Sequence, residues 1–200
     1  MVADRSHDGL YMTVEQYFAL DEATDGKYEY IDGYAYLLRP PSSAYTADMV
    51  NLAGGSPAHA LIAMNIGRIL GNALEESSCT VYSSDVKVKL SEKRYLYPDI
   101  TVACGEQEDG AFITAPTIIV EVLSPTTEAY DRGAKFKTYK TLTSLQEYIL
   151  IGSQDKEIEV YRREGAFWRQ CSYQEGDTVE LASVGVRFPF EQVYRRVHIR

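Results

Sequence analysis

The run Ile118-Ile119-Val120-Glu121-Val122-Leu123 constrains the fold more than any other part of the chain. It has the length and β-branched content of a strand, and apolar residues stand on both of its faces, as in a strand buried on both sides. A sheet containing such a strand must be covered front and back. A chain of 200 residues can do that within one ordinary domain. The single exception in the run is Glu121. A lone carboxylate there is costly to ionise unless a cation or a donor compensates it.

The neighbouring sequence supplies the covering layers. Over 58–76 the apolar residues Leu61, Ile62, Ile66, Ile69, Leu70 and Leu74 follow helical spacing, and Ser56 with Pro57 suits the start of that helix. Further helices are expected over 132–141 and over 14–20, where Thr13 and Gln16 have capping-box spacing. Strands are expected at 27–31 and 34–38 about the turn Asp32-Gly33, then at 80–83, 86–90, 97–104 and 117–123. More follow at 147–151, 158–163, 167–173, 178–181 and 186–188, whereas 39–55 reads as a long loop. No repeat or linker divides the chain, so a single domain over 1–200 with its core at about 12–194 is expected. The fold class is α/β (α+β): a mixed central sheet flanked by helices, with an N-terminal hairpin and C-terminal strands.

Composition narrows the function. The 16 tyrosines against one tryptophan suit half-buried sheet surfaces. A net charge of −9 speaks against binding a polyanion through overall charge, so a nucleic-acid partner would need a local cationic patch or bound metal ions. Cys79, Cys104 and Cys171 are widely spaced and form no C-x-x-C pair, which leads us to expect unpaired thiols and a reducing cytoplasmic location. Neither a signal-peptide pattern over 1–11 nor an uninterrupted apolar run of membrane-spanning length is present.

Tyr97-Pro98-Asp99 stands where another strand begins, since proline is tolerated at a first strand position. Asp99 and Glu121 on adjacent strands could share a hard divalent cation such as Mg²⁺ or Mn²⁺. The alternative is structural: Asp99 caps a turn, and Glu121 pairs with a buried arginine or lysine. Asp131, Lys135 and Tyr139 recur every four residues and so line one helix face, where Lys135 could simply pair with Asp131. Lys87 and Lys89 are rivals for any lysine role. Glu29 could pair with Lys27 or an arginine, and Asp85 could merely begin a strand after a turn. His59, at a helix start, stands where anions are favoured, although such a histidine is often structural.

Pro98-Asp99 followed by Glu121-Val122-Leu123 resembles the PD-(D/E)XK nuclease signature. The string Glu121-Val122-Leu123-Ser124-Pro125-Thr126-Thr127, with Tyr130-Asp131-Arg132-Gly133-Ala134-Lys135 and Tyr139, is more specific. It is similar to the Uma-type family of restriction-endonuclease-like proteins, also called domain of unknown function 820. Tyr28-Glu29-Tyr30-Ile31-Asp32-Gly33, Ser84-Asp85-Val86 and Glu147-Tyr148 extend the likeness over about 12–194.

This resemblance implies a restriction-endonuclease-like core and a metal-dependent endonuclease acting on nucleic acid, expected to be DNA. It implies that Asp99, Glu121 and the backbone carbonyl of Val122 hold Mg²⁺ or Mn²⁺. Leu123 occupies the place of the superfamily's motif lysine, and the resemblance implies that Lys135 reaches back to fill that role. Glu29 is implied near the metal, with His59 and Asp85 in support. A C₂ homodimer would suit cutting both strands of a duplex. The alternative is an inactive scaffold of the same fold that binds protein or nucleic acid, favoured by Leu123 and the acidic charge. A hydrolase of small phosphoesters is a weaker third reading.

Overall fold

The computed structural model describes residues 9–39, 41, 56–107 and 110–199. Most of the expected loop over 39–55 lies outside the described residues, as does nearly all of the segment that precedes Leu10.

The chain begins with β1 (Leu10–Tyr11) and α1 (Val14–Ala23), whose capping box pairs Thr13 and Gln16 in both directions. The hairpin of β2 (Lys27–Ile31) and β3 (Tyr34–Arg39) turns at Asp32 and Gly33, with φ of 50° and 98°. Positive φ at both turn residues matches the right-handed twist of the strands, which explains the Asp-Gly pair. Helix α2 (Pro57–Leu74) starts with Ser56 accepting from the His59 amide and proline in the first turn.

Then come β4 (Cys79–Ser83), β5 (Lys87–Ser91), β6 (Arg94–Leu96), β7 (Ile100–Cys104), β8 (Phe112–Ile113) and β9 (Ile118–Leu123). The helical stretch after β9 consists of α3 (Glu128–Tyr130), a π-helical turn Asp131–Lys135 and α4 (Phe136–Tyr139). The chain finishes with β10 (Glu147–Gly152), β11 (Ile158–Glu164), β12 (Phe167–Tyr173) and the paired β13 (Thr178–Leu181) and β14 (Val186–Pro189).

Strands divide between two six-stranded sheets, ordered β1-β3-β2-β6-β5-β8 and β12-β11-β10-β9-β7-β4. The strand expected over 97–104 begins only at Ile100, as β7, and β6 just before it lies outside every expected strand. β6 belongs to the first sheet and β7 to the second, and Tyr97-Pro98-Asp99 crosses between them. Proline has no N–H to donate to a ladder, so the crossover falls where pairing is already interrupted. The second sheet is mixed: β9 and β10 are parallel and its other neighbours antiparallel.

Strand β9 is buried along its whole length. Ile118, Val120 and Val122 pack with Ile62, Ile66, Leu70 and Leu74 of α2. On the other face Ile119 and Leu123 join Phe136, Tyr139, Tyr148 and Leu150. Period-two alternation therefore puts Glu121 on the side of the π turn and α4, away from α2. A third cluster, of Tyr17, Tyr28, Tyr30 and Tyr95, accounts for much of the tyrosine excess, with ring centroids of Tyr17 and Tyr30 4.9 Å apart.

One expectation is overturned. Cys79 and Cys104 form a disulfide, and only Cys171 is a free thiol. The two are register partners across β4 and β7, so the antiparallel ladder joins residues 25 apart in sequence. Motif spacing does not reveal a cross-strand pair of this kind, and the argument from unpaired thiols to a reducing compartment falls with it. No helix among the described residues is long and apolar enough to cross a membrane.

Candidate active site

Glu121 is 2% exposed, and its Oε1 lies 2.8 Å from Lys135 Nζ. That contact is an ion pair, but Oε1 receives no well-aligned hydrogen bond. Lys135 comes from the π-helical turn, a widened turn that recurs at functional sites. Its ammonium also donates to the Tyr97 carbonyl at 3.2 Å and stands 3.6 Å from Asp131 and 3.7 Å from Glu29. Glu29, buried on β2, accepts from the Tyr97 amide at 3.2 Å. The crossover between the sheets is thus clamped on both backbone groups of Tyr97, and Asp99 follows two residues later.

Asp99 Oδ2 accepts from the Val122 amide at 2.7 Å and lies 3.3 Å from His59 Nε2. β7 and β9 run antiparallel with Ile100 opposite Val120, and continuing that register places Asp99 opposite Glu121. The site is therefore assembled from β2, the crossover, β9, the π turn and the start of α2. Asp99, Glu121, Lys135, Glu29 and His59 come together there. Asp85 does not: its side chain is 72% exposed and pairs with Lys27 at 3.6 Å. The rival lysines are engaged elsewhere, Lys87 with Asp21 at 2.5 Å and Lys89 with Glu92 at 2.6 Å.

The electrostatics follow from crowding. Burial pushes the Glu121 carboxyl well above the usual carboxylate range; Lys135 opposes this, and the charges of Asp131 and Asp99 reinforce it. Burial likewise raises Asp131. Burial would lower Lys135, but Glu121, Glu29 and Asp131 outweigh it, and the ammonium is held charged. Burial works against charge on Asp99 too, yet the His59 hydrogen bond and charge, Lys135 and the Val122 amide bring its pKa below the ordinary value. His59 is raised in turn, with Asp99 and the Val122 backbone overcoming burial.

From the sequence Asp131 is no more than a helix partner of Lys135, and Tyr97 has no evident role. Asp131 was visible four residues before Lys135. The part Tyr97 plays is carried by its backbone, so its side-chain identity offered no signal.

Among the described residues, no three histidine, cysteine, aspartate or glutamate side chains are placed to hold a metal ion together. The expected set needs only two, with a carbonyl as the third donor. It fits a hard divalent cation in two respects: Glu121 Oε1 has no well-aligned hydrogen bond, and the surrounding carboxylates outnumber the lysine.

The Uma2 family model, described as "Putative restriction endonuclease", matches residues 14–191. The uncharacterized protein slr1290 of Synechocystis sp. is 34% identical over 188 residues, covering 92% of each chain. A second Synechocystis sp. protein, sll1609, also uncharacterized, is 28% identical over 159 residues, 77% of this chain and 82% of its own. A crystal structure from Anabaena variabilis, described as "a putative nuclease belonging to DUF820", superposes with a TM-score of 0.68 at 17% identity, over 92% of this chain and 97% of that one. That likeness is one of fold, and it agrees with the restriction-endonuclease-like arrangement of sheets and helices. With a model match that spans nearly the whole length, the chain belongs to the Uma2 family, within the PD-(D/E)XK-like nuclease superfamily.

Proposed function

We propose that the protein is a metal-dependent endonuclease that hydrolyses phosphodiester bonds in nucleic acid, with DNA as the first substrate to test. The observation that carries this reading is the buried Glu121 carboxylate, whose Oε1 has no well-aligned hydrogen bond and only the Lys135 ammonium 2.8 Å away to offset its charge, opposite Asp99. Asp99, Glu121 and the Val122 carbonyl would hold Mg²⁺ or Mn²⁺, which supplies charge for the phosphoryl oxygens and a more acidic bound water. The chain's own residues set the geometry. The Val122 amide and His59 fix Asp99, and the Tyr97 carbonyl aims the Lys135 ammonium at Glu121. A fixed positive charge in a buried setting stabilises negative charge that develops on a phosphate, with little reorganisation. A twofold dimer would present two such sites to the two strands of a duplex.

A specific observation also favours an inert scaffold: Lys135 already neutralises Glu121, and His59 with the Val122 amide already engages Asp99. Incubating plasmid with the purified protein and Mg²⁺ or Mn²⁺ separates the two readings. Nicking that requires the metal and is abolished by Asp99→Ala supports the nuclease. An intact plasmid, with melting indifferent to metal, leaves the scaffold.

A further inference from the structure

A nucleic-acid ligand poses a problem of charge for a chain of net −9, and the face of α2 that turns toward the C-terminal strands answers it. A cavity of about 400 Å³ lies there, lined by Arg68, Asn72, Arg187, Gln192 and Arg195 among others, with no carboxylate in its lining. Among the described residues Arg68 and Arg195 are in no ion pair, whereas Arg187 is partly neutralised by Glu180. The cavity is built rather than incidental. Asn65 Nδ2 donates to the carbonyls of Val193 and Arg195, at 2.9 and 3.0 Å, and pins the C-terminal segment against α2. Val186, Phe188 and Val193 beneath it are buried with α2 in the main core.

Arg68 has a second surface. It also lines a groove of about 540 Å³ between α2 and β4, whose other end is formed by His59 and Asp99. The cationic cavity and the candidate active site are thus joined along one helix, with Arg68 at the junction. His59 and Arg68 are nine residues apart, about 13.5 Å along a helix axis.

We infer that Arg68, Arg195 and Arg187 form a backbone-phosphate subsite that holds nucleic acid along α2, away from the bond at Asp99. This rests on the nucleic-acid reading of the site and adds where the strand leaves it. Phosphate contacts of this kind position a strand without reading its sequence. They also reconcile an acidic chain with a polyanionic ligand, because a local patch governs the encounter.

The test is binding, measured separately from cleavage. A fluorescein-labelled duplex of about 20 base pairs, some 68 Å long, is titrated with the full chain in Ca²⁺ at several salt concentrations and followed by anisotropy. Arg68→Gln with Arg195→Gln should weaken binding on the order of tenfold and lower the log–log salt slope by about 1.8, or 0.9 for each phosphate that is no longer neutralised. The melting temperature should hold, because both arginines are exposed and neither forms an ion pair among the described residues. Arg169→Gln, an exposed arginine on β12 paired with Glu164, should change neither affinity nor slope. Unchanged affinity and slope in the double variant would overturn the subsite, as would a wild type that binds no nucleic acid. Plasmid nicking reports on the nuclease reading independently: a protein that binds through these arginines but never cuts keeps the subsite and loses the nuclease.

Discussion

Two glutamates on neighbouring strands of one sheet are equally buried and differently treated. Glu147, at the start of β10, is fully buried, and its oxygens are saturated. Arg162 donates at 2.9 Å, the amides of Ala182 and Ser183 each at 3.1 Å, and the Ser183 hydroxyl at 2.5 Å. Glu121, on β9, has one lysine and an oxygen without a hydrogen bond, with other carboxylates nearby. A carboxylate kept for architecture is surrounded by donors; Glu121 is left short of them. Burial alone therefore separates neither case from the other, and the donor inventory does.

The contrast can be broken most forcefully at Glu147. Arg162→Ala should cost about 3–5 kcal/mol in denaturant titrations, since it strands a buried charge, while activity per folded molecule is retained. A loss of activity with unchanged stability would place Glu147 with the chemistry instead. The next effect is metal linkage. Mg²⁺ or Mn²⁺ at a hundredfold excess over Kd should stabilise the wild type by about 2.7 kcal/mol, read as a rise in Tm. Asp99→Ala and Glu121→Gln should abolish that rise; Arg162→Ala should keep it.

Without metal, Glu121→Gln removes a charge that burial and the neighbouring carboxylates disfavour, and it should stabilise the protein at neutral pH. The gain should depend on pH with a definite sign. Glu121 holds its proton more tightly folded than unfolded, so wild-type stability falls as pH rises from about the ordinary value of 4.5 through the raised one. The glutamine does not titrate. The advantage of the variant should therefore be absent at acid pH and grow toward neutrality; a flat difference would deny Glu121 its raised pKa.

The smallest effect belongs to His59. Its folded pKa is raised above 6.5, so its contribution is complete below that value and fades as pH rises through the raised one. Asp99, lowered below 3.8, stays ionised across this window. His59→Gln should cost roughly 1 kcal/mol at pH 5 and almost nothing at pH 9, compared by thermal melts. Equal losses at both would reduce His59 to a packing residue.

Much of this was legible from residue patterns. The capping box at Thr13, the Asp32-Gly33 turn, the stripe along α2 and the two-faced apolar run at β9 each follow local rules, and each element formed within a few residues of its expected place. What escaped was non-local. The start of β7 at Ile100, and the separate strand β6 that joins the other sheet before it, depend on which strands pair, which no single segment encodes. The π turn is one residue wider than the helix spacing assumed for Asp131 and Lys135, yet both remain buried beside Glu121. Asp85 had a strand-start context like that of Asp99, and only the packing of the first sheet leaves it outside with Lys27.

The Cys79–Cys104 bond closes a covalent ring of β4, β5, β6, the Tyr97-Pro98-Asp99 crossover and β7. The turn at Glu92 and Lys93 is the exposed tip of that ring. A protease that cuts there severs the main chain but releases nothing, because the two fragments stay tethered through sulfur. On a gel the nicked molecule should migrate as one species until a thiol reductant is added, and then as two. The fragment that carries Glu29 and His59 would stay tied, through such a cut, to the one that carries Asp99, Glu121 and Lys135.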